Sequence, residues 1–443
     1  MTDRPFTDDY WDERERWSRD QLESFQLDAL QRQLRTVVDT SDFYRRRLAD
    51  LDWEPGDVRS LDDLRQLPVT RKTEYVEAID QEPPFGPALA CDPTDVRRVH
   101  FSSGTTSQPT PMCWTQQDLD RWADLYARSA YAQGVRATDV YQCLFSFSWF
   151  VGGLGGMLSY QRIGATCIPG GSVDSRRQIE TMFRYGTTCV GGTPSFMLHL
   201  AEVAGELGYD LRDSAVSKVM VGGEPGAGIP ATRQRIEQLW GAQCRDGYGS
   251  LEFQPIAWEC HVGAGGHLAE DFALAEVLDP ETHEPVADGE RGVLVLTHLD
   301  KQACPLVRWW TGDVVVRDAG VCDCGRTHAR LPGGVLGRAD DMLVVRGVNV
   351  FPSAVEDVIR RTSGTTGEFQ IVVDDDVRDT TTGFLSGLKL RVEFTVGPDD
   401  GAASRLAEQL RSELQVRAAV EPLAPGSLPR TTHKASRLVE EPR

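Results

Sequence analysis

The chain has 443 residues, 40% of them hydrophobic, which exceeds one ordinary core and points to two or three domains. Its net charge of -20 repels nucleic acid and anionic lipid, so neither is an expected partner. No run of about 18 apolar residues offers a membrane span, and the acidic start lacks the basic and apolar pattern of a signal peptide, so a cytoplasmic location is expected.

Ten cysteines scattered through so long a chain do not read as a disulfide framework, and most are expected to be small buried apolar residues. Only five of the 47 basic residues are lysine, a bias that fits a GC-rich genome or a salt-rich cytoplasm equally well.

Leucines at helical spacing among charged residues predict amphipathic helices over residues 10–50. Pro83, Pro84, Gly86 and Pro87 open a loop that runs to about residue 95. From residue 97 apolar strands alternate with helical stretches: 96–101, 187–192 and 217–223 each run into a turn rich in small residues. Segments 292–299, 305–310 and 313–318 are strand-like and close together, which predicts a mixed or antiparallel β region. A boundary falls near residue 340. The predicted class is α/β, with a large multi-subdomain N-terminal domain over 1–339 and a small α+β C-terminal domain over 340–443.

Six motifs carry chemistry. Ser103-Gly104-Thr105-Thr106 follows a strand, and its amides and hydroxyls suit phosphate, although it lacks the Gly-Lys-Ser/Thr ending of a Walker loop. Gly223-Glu224-Pro225 is a turn at the carboxyl end of a strand, where open α/β sheets bind ligands. Asp246-Gly247-Tyr248-Gly249-Ser250 offers a flat ring and a hydroxyl, and Glu252 beyond it offers a hard oxygen ligand for magnesium. Asp313, after Thr311-Gly312, can accept hydrogen bonds from ribose hydroxyls or simply cap its own turn. Arg338 has a planar fork for nucleotide oxygens, and Asp340 sits on the domain boundary as a hinge candidate. Lys434, near the end, gains interest only from this company. Each motif alone is compatible with an ordinary turn or an idle surface residue.

In this order, across roughly residues 40–440, the six motifs resemble the phenylacetate–coenzyme A ligase family of the adenylate-forming superfamily. The segment from Gly337 to Ser353 is the most specific match. The resemblance implies that Ser103, Gly104, Thr105 and Thr106 contact ATP phosphates. It implies that Gly223, Glu224, Pro225, Asp246, Gly247, Tyr248, Gly249 and Ser250 line the nucleotide. Glu252 would bind Mg2+, Asp313 the ribose, and Arg338 the nucleotide. Asp340 would be the hinge of a mobile C-terminal lid, and Lys434 the catalytic residue of adenylation. The cofactors so implied are ATP, Mg2+ and coenzyme A. Relatives are often homodimers, though nothing in the sequence specifies an interface.

Three departures stand out. Ser107-Gln108 replaces a Gly-Lys pair, Trp310 stands where an arginine is frequent, and His433 replaces the glycine before the lysine.

Cys322 and Cys324 form a Cys-x-Cys pair, and Cys260 with His267 a second pair; four such donors suit a closed structural Zn2+ as well as they suit plain buried residues. Some members of the family carry such a cluster, which favours zinc, with His261 and His328 as rival ligands. The segment from Cys143 to Leu154 matches the family's aryl-pocket segment, so Phe147, Trp149, Phe150 and Gly152 are the candidate acid pocket, or else ordinary core. The expected activity is activation of a small, aromatic carboxylic acid to an acyl-adenylate and transfer to coenzyme A. Transfer to an amine or a carrier-protein thiol is the alternative, and a non-catalytic nucleotide-binding protein is a third.

Overall fold

A computed structural model describes residues 10–102, 110–346, 348–374, 376–378, 385–429 and 437–441. The central sheet has eight strands, and five of them are parallel, in the order Thr166–Pro169, Val140–Cys143, Cys189–Gly192, Lys218–Gly222, Gln243–Tyr248. Three short antiparallel strands, Ala257–Trp258, Gly266–Leu268 and Arg330–Leu331, extend it past Gln243–Tyr248. Parallel strands need crossovers, and helices supply them here. Cys189–Gly192 is buried along its whole length, as a strand covered on both faces must be. The crossover helices Ser175–Tyr185 and Pro230–Trp240 both end on a left-handed glycine, Gly186 and Gly241, where a Cβ would be strained.

The second β layer is antiparallel: Ala273–Leu278, Arg291–His298, Trp309–Val316 and Gly337–Arg338. Its register places Asp313 opposite Arg338. Outside it the long helix Arg19–Thr40 turns Leu22, Leu30, Leu34 and Val37 inward, and Ser18 caps its start through a bond from Gln21 N. The expected helices over 10–50 are thus Arg19–Thr40 and Asp42–Leu48.

Beyond Arg338 the chain forms a hairpin, Leu343–Val345 with Val348–Val350, and then the helix Pro352–Arg361. A four-stranded sheet follows, in the order Ala418–Leu423, Leu388–Phe394, Thr365–Val373, Leu438–Glu440, with the helix Asp400–Leu414 packed on it. Val355, Ile359, Phe369, Leu390, Val392 and Leu406 belong to a core of its own. A small α+β unit with its own core follows the large α/β one, which is the predicted fold class. The hairpin precedes its first helix, and two edge strands complete its sheet. Among the described residues no helix is long and apolar enough to cross a membrane.

Candidate functional site

Three motifs that are far apart in sequence meet at the carboxyl ends of the parallel strands. Tyr248 closes the strand Gln243–Tyr248 and donates its hydroxyl to Asp313 Oδ2 at 2.6 Å. Burial, with Asp313 beside it, holds the Tyr248 phenol well above its usual pKa, so it remains a donor. Arg338, on the strand paired with Trp309–Val316, reaches Asp313 Oδ1 at 3.2 Å and the Thr311 carbonyl at 3.3 Å. The same guanidinium grips Asp340 at 2.8 and 3.1 Å. Asp313 therefore stands between a phenol and a guanidinium at an open edge, with Arg338 44% exposed.

Below Tyr248 lies a small cleft, lined by Gly228, Asp246, Glu259, Leu331 and Gly334 among others. Burial and the neighbouring Glu259 carboxylate push the Asp246 carboxyl up to about 7, against the pull of Arg233. Gly223 has φ +89, a conformation that a side chain would strain. Glu224 faces elsewhere: its Oε1 accepts the Ser195 amide at 2.7 Å, at the N-terminus of the helix Pro194–Glu206.

Ser250 and Phe253 close a turn on each other, with Ser250 N on Phe253 O at 2.8 Å and Phe253 N on Ser250 Oγ at 3.1 Å. Glu252 is nearly buried beside it and pairs with Lys72 Nζ at 3.2 Å. His298 stacks on Phe253 with ring centroids 3.8 Å apart and packs beneath this turn. Lys72 is a residue that motif reading missed. It begins the helix Lys72–Gln81, far from any glycine loop, and no local spacing announces it. Trp310, the departure from arginine, carries the Arg71 guanidinium over its ring at 4.7 Å, so a cation returns to that place from another segment.

The four candidate pocket residues lie around the start of the helix Val151–Ile163. The Trp149 carbonyl accepts from His100 Nδ1 at 2.8 Å and from Phe101 N at 3.2 Å, which ties this segment to the strand Arg98–Phe101. Trp149 is 52% exposed and meets Phe101 at 5.5 Å. Phe147 packs inward with the cluster of Tyr141 and Tyr160. Gly152 lies under Phe145, whose ring would be 3.2 Å from a Cβ placed there. Tyr126 and Gln254 hydrogen-bond each other on the helix side, and neither was flagged by the sequence.

Cys260, His267, Cys322 and Cys324 are all buried, and their ligand atoms lie within 4.8 Å of one another. Cys260 Sγ is 3.9 Å from Cys322 Sγ, and Cys324 Sγ is 3.5 Å from His267 Nε2. His267 Nδ1 faces the His328 carbonyl at 3.3 Å, which leaves Nε2 toward the sulfurs. Both His328 nitrogens face carbonyls, of Leu268 and Arg14, and His261 is exposed, so neither rival joins the set. All ten cysteines are free. The N-terminal segment clasps this cluster: the Tyr10 hydroxyl bonds the Cys324 carbonyl at 2.7 Å, and buried Glu15 pairs with buried Arg326 at 2.5 Å. Ser103, Gly104, Thr105, Thr106, Ser107 and Gln108 lie outside the described residues, as do His433 and Lys434.

The AMP-binding enzyme family model matches residues 24–298, and that of the AMP-binding enzyme C-terminal domain matches 347–441. The chain is similar to a phenylacetate-coenzyme A ligase of Thermus thermophilus, 33% identical over 95% of this chain and 97% of that one. It is similar also to that of Escherichia coli, 32% identical over 96% of this chain and 95% of that one. Among solved structures, a 2-hydroxyisobutyryl-CoA ligase in its postadenylation state superposes with a TM-score of 0.91 at 30% identity, over 100% of this chain and 94% of that one. The same ligase in its thioesterification state, also 30% identical and with the same coverage, scores only 0.75, so the two domains here are placed as in the postadenylation state. The chain belongs to the phenylacetate–coenzyme A ligase family of AMP-binding, adenylate-forming enzymes.

Proposed function

We propose that the protein activates a small, aromatic carboxylic acid with ATP and passes the acyl group to coenzyme A. The observation that carries this reading is the meeting of Tyr248, Asp313 and Arg338 over the Asp246 cleft. A carboxylate is a poor acyl donor because its leaving group would be oxide. Its oxygen attacks the α-phosphorus of ATP, the bond to pyrophosphate breaks, and a mixed anhydride with AMP forms. The thiol of coenzyme A then attacks the acyl carbon, loses its proton, and AMP leaves.

The residues divide this work. Asp313 takes the ribose hydroxyls, and Tyr248 with Arg338 holds its carboxylate in place. Asp246 and the backbone of Gly223–Pro225 face the base, and Ser103–Thr106 face the phosphates. Glu252 is the Mg2+ ligand, and bound Mg2+ neutralises charge on the departing pyrophosphate. Lys72, paired with Glu252, places a cation beside that carboxylate. Lys434 sets its charge against the reacting carboxylate and α-phosphate. Phe147, Trp149, Phe150 and Gly152 shape the acid pocket. The domains divide as 1–339 and 340–443, with Asp340, which Arg338 grips, as the hinge.

Cys260, His267, Cys322 and Cys324 hold a structural Zn2+. Three thiolates and one imidazole, from two loops, would fill a tetrahedral set and leave no open position for catalysis. The test of the main reading is mass spectrometry of products from MgATP, coenzyme A and a panel of aryl and short aliphatic acids. An acyl-CoA thioester with AMP and pyrophosphate supports it. Pyrophosphate without thioester moves the acceptor to an amine or a carrier-protein thiol.

A further inference from the structure

The C-terminal domain touches the large one through a compact set of carboxylates on the helix Pro352–Arg361, which packs against the helix Pro230–Trp240. Pro230–Trp240 has no side-chain cap of its own: Ile229 occupies that position. The Ala231 amide and the Thr232 hydroxyl find partners across the domain boundary instead. Ala231 N donates to Asp357 Oδ1 at 3.2 Å, and Thr232 Oγ1 donates to Glu356 Oε1 at 3.4 Å. A helix N-terminus carries partial positive charge, so Asp357, brought to it by another domain, binds there as a cap, and Glu356 holds the hydroxyl beside it.

Glu356 faces the other way as well. Arg360 Nε donates to its Oε1 at 2.7 Å, and its Oε2 lies 3.9 Å from Arg437 Nε. Arg437 is nearly buried over the Phe369 ring at 4.8 Å, and Glu368 Oε2 accepts from its Nη1 at 2.8 Å. Among the described residues its buried Nε has no hydrogen-bond partner, and it points at Glu356 from just beyond bonding distance. Arg437 stands three residues after Lys434. On the near side of the lysine, buried Glu393 accepts the amides of Gly426 at 3.1 Å and Leu428 at 2.6 Å. Both flanks of the lysine segment are thus fixed by glutamates of the small domain, and one of these glutamates also touches the large domain.

We propose that Glu356 and Arg437 are positioning residues of the adenylation half-reaction, joining the docked helix Pro230–Trp240 to the chain that leaves the Lys434 segment. The inference rests on the adenylate-forming reading above. Docking places Glu356 against Thr232, and Glu356 in turn holds Arg437, so the lysine's flank is set when the domains meet. When the small domain rotates for thioester formation, the Ala231 and Thr232 contacts part, and this linkage has no role in that step.

The test separates the half-reactions in the full-length protein, with phenylacetate and phenylacetyl-adenylate as probes. In E356Q and R437M, pyrophosphate release from MgATP and phenylacetate falls at least tenfold, while thioester formation from phenylacetyl-adenylate and coenzyme A stays within twofold. R437K recovers part of the loss. An equal fall in both half-reactions, or no fall in either, overturns the proposal. If the wild type adenylates no acid, the functional reading fails, and the linkage is then read by hydrogen exchange of the unliganded protein. E356Q and D357N raise exchange over residues 226–236 and leave the strands Thr365–Val373 and Leu388–Phe394 protected. Unchanged exchange over 226–236 overturns the linkage by itself.

Discussion

The proposed nucleotide side and the proposed acid side of this site are built differently. On the nucleotide side, ionisable groups hold one another at fixed distances: Tyr248 to Asp313, Arg338 to Asp313 and Asp340, Lys72 to Glu252. On the acid side, Phe145 and Phe147 pack over Gly152 and Gly153, and the loop is tied by bonds to the Trp149 carbonyl and by the one from Phe150 N to Ser148 Oγ. The nucleotide is always the same molecule, and charge-assisted bonds recognise it by geometry. An acid that differs among relatives is recognised by packing, which volume changes can retune without new chemistry.

Substitutions break this comparison at different points. The largest effect is expected at Lys434, since removing a preorganised cation from a transition state typically costs about 10²–10³-fold. K434A lowers pyrophosphate release by that order and leaves thioester formation from supplied acyl-adenylate nearly intact, read by rapid quench. D313A removes the partner of both Tyr248 and Arg338. Hydrogen bonds to a charged group contribute about 1.5–3 kcal/mol, so KM for ATP rises by roughly 10–100-fold with KM for the acid little changed.

On the acid side the pattern reverses. In G152A the new Cβ meets the Phe145 ring at 3.2 Å, which must give by a few tenths of an ångström. A several-fold fall in kcat/KM for bulky aryl acids is expected, with KM for ATP unchanged, measured across acids of graded size. The smallest effect concerns pH. Asp246 titrates near 7 in the folded protein because burial raises it. Its protonated form is favoured by folding, so the stability it contributes is full at low pH and is lost as pH rises through about 7. An adenine amino group donates to the ionised carboxylate, so ATP affinity rises a few-fold across the same range. D246N flattens that profile in calorimetric titrations.

How much was legible follows the same division. Asp313, Tyr248 and Arg338 each follow a glycine directly and Glu252 comes shortly after one, and short motifs exposed them. Their mutual bonds were not legible, because the register that sets Asp313 opposite Arg338 belongs to the sheet, not to either segment. Cys260 and His267 were paired with Cys322 and Cys324 from residue type and resemblance, and the fold brings all four within 4.8 Å. Lys72, Tyr126 and Gln254 escaped notice because they reach the site from helices and turns that carry no special pattern. Glu224 shows the opposite lesson: a residue inside a recognised motif directs its side chain to a neighbouring helix terminus.

The cysteine cluster forms a third region, distant in chemistry from both. Removing one ligand by C322S is expected to lower Tm by several degrees and to release about one zinc per chain, read by calorimetry and metal analysis. Since all four donors are buried, the acid and ATP KM values of the surviving folded protein change little.

The central claim is that an acid and MgATP form an acyl-adenylate here before any thiol arrives. Acid-dependent exchange of labelled pyrophosphate into ATP, without coenzyme A, tests it most directly. The account predicts exchange that requires one class of small acid, is suppressed in K434A and D313A, and gives way to net pyrophosphate release when coenzyme A is added. Exchange absent across the acid panel in a folded, MgATP-binding protein would contradict it.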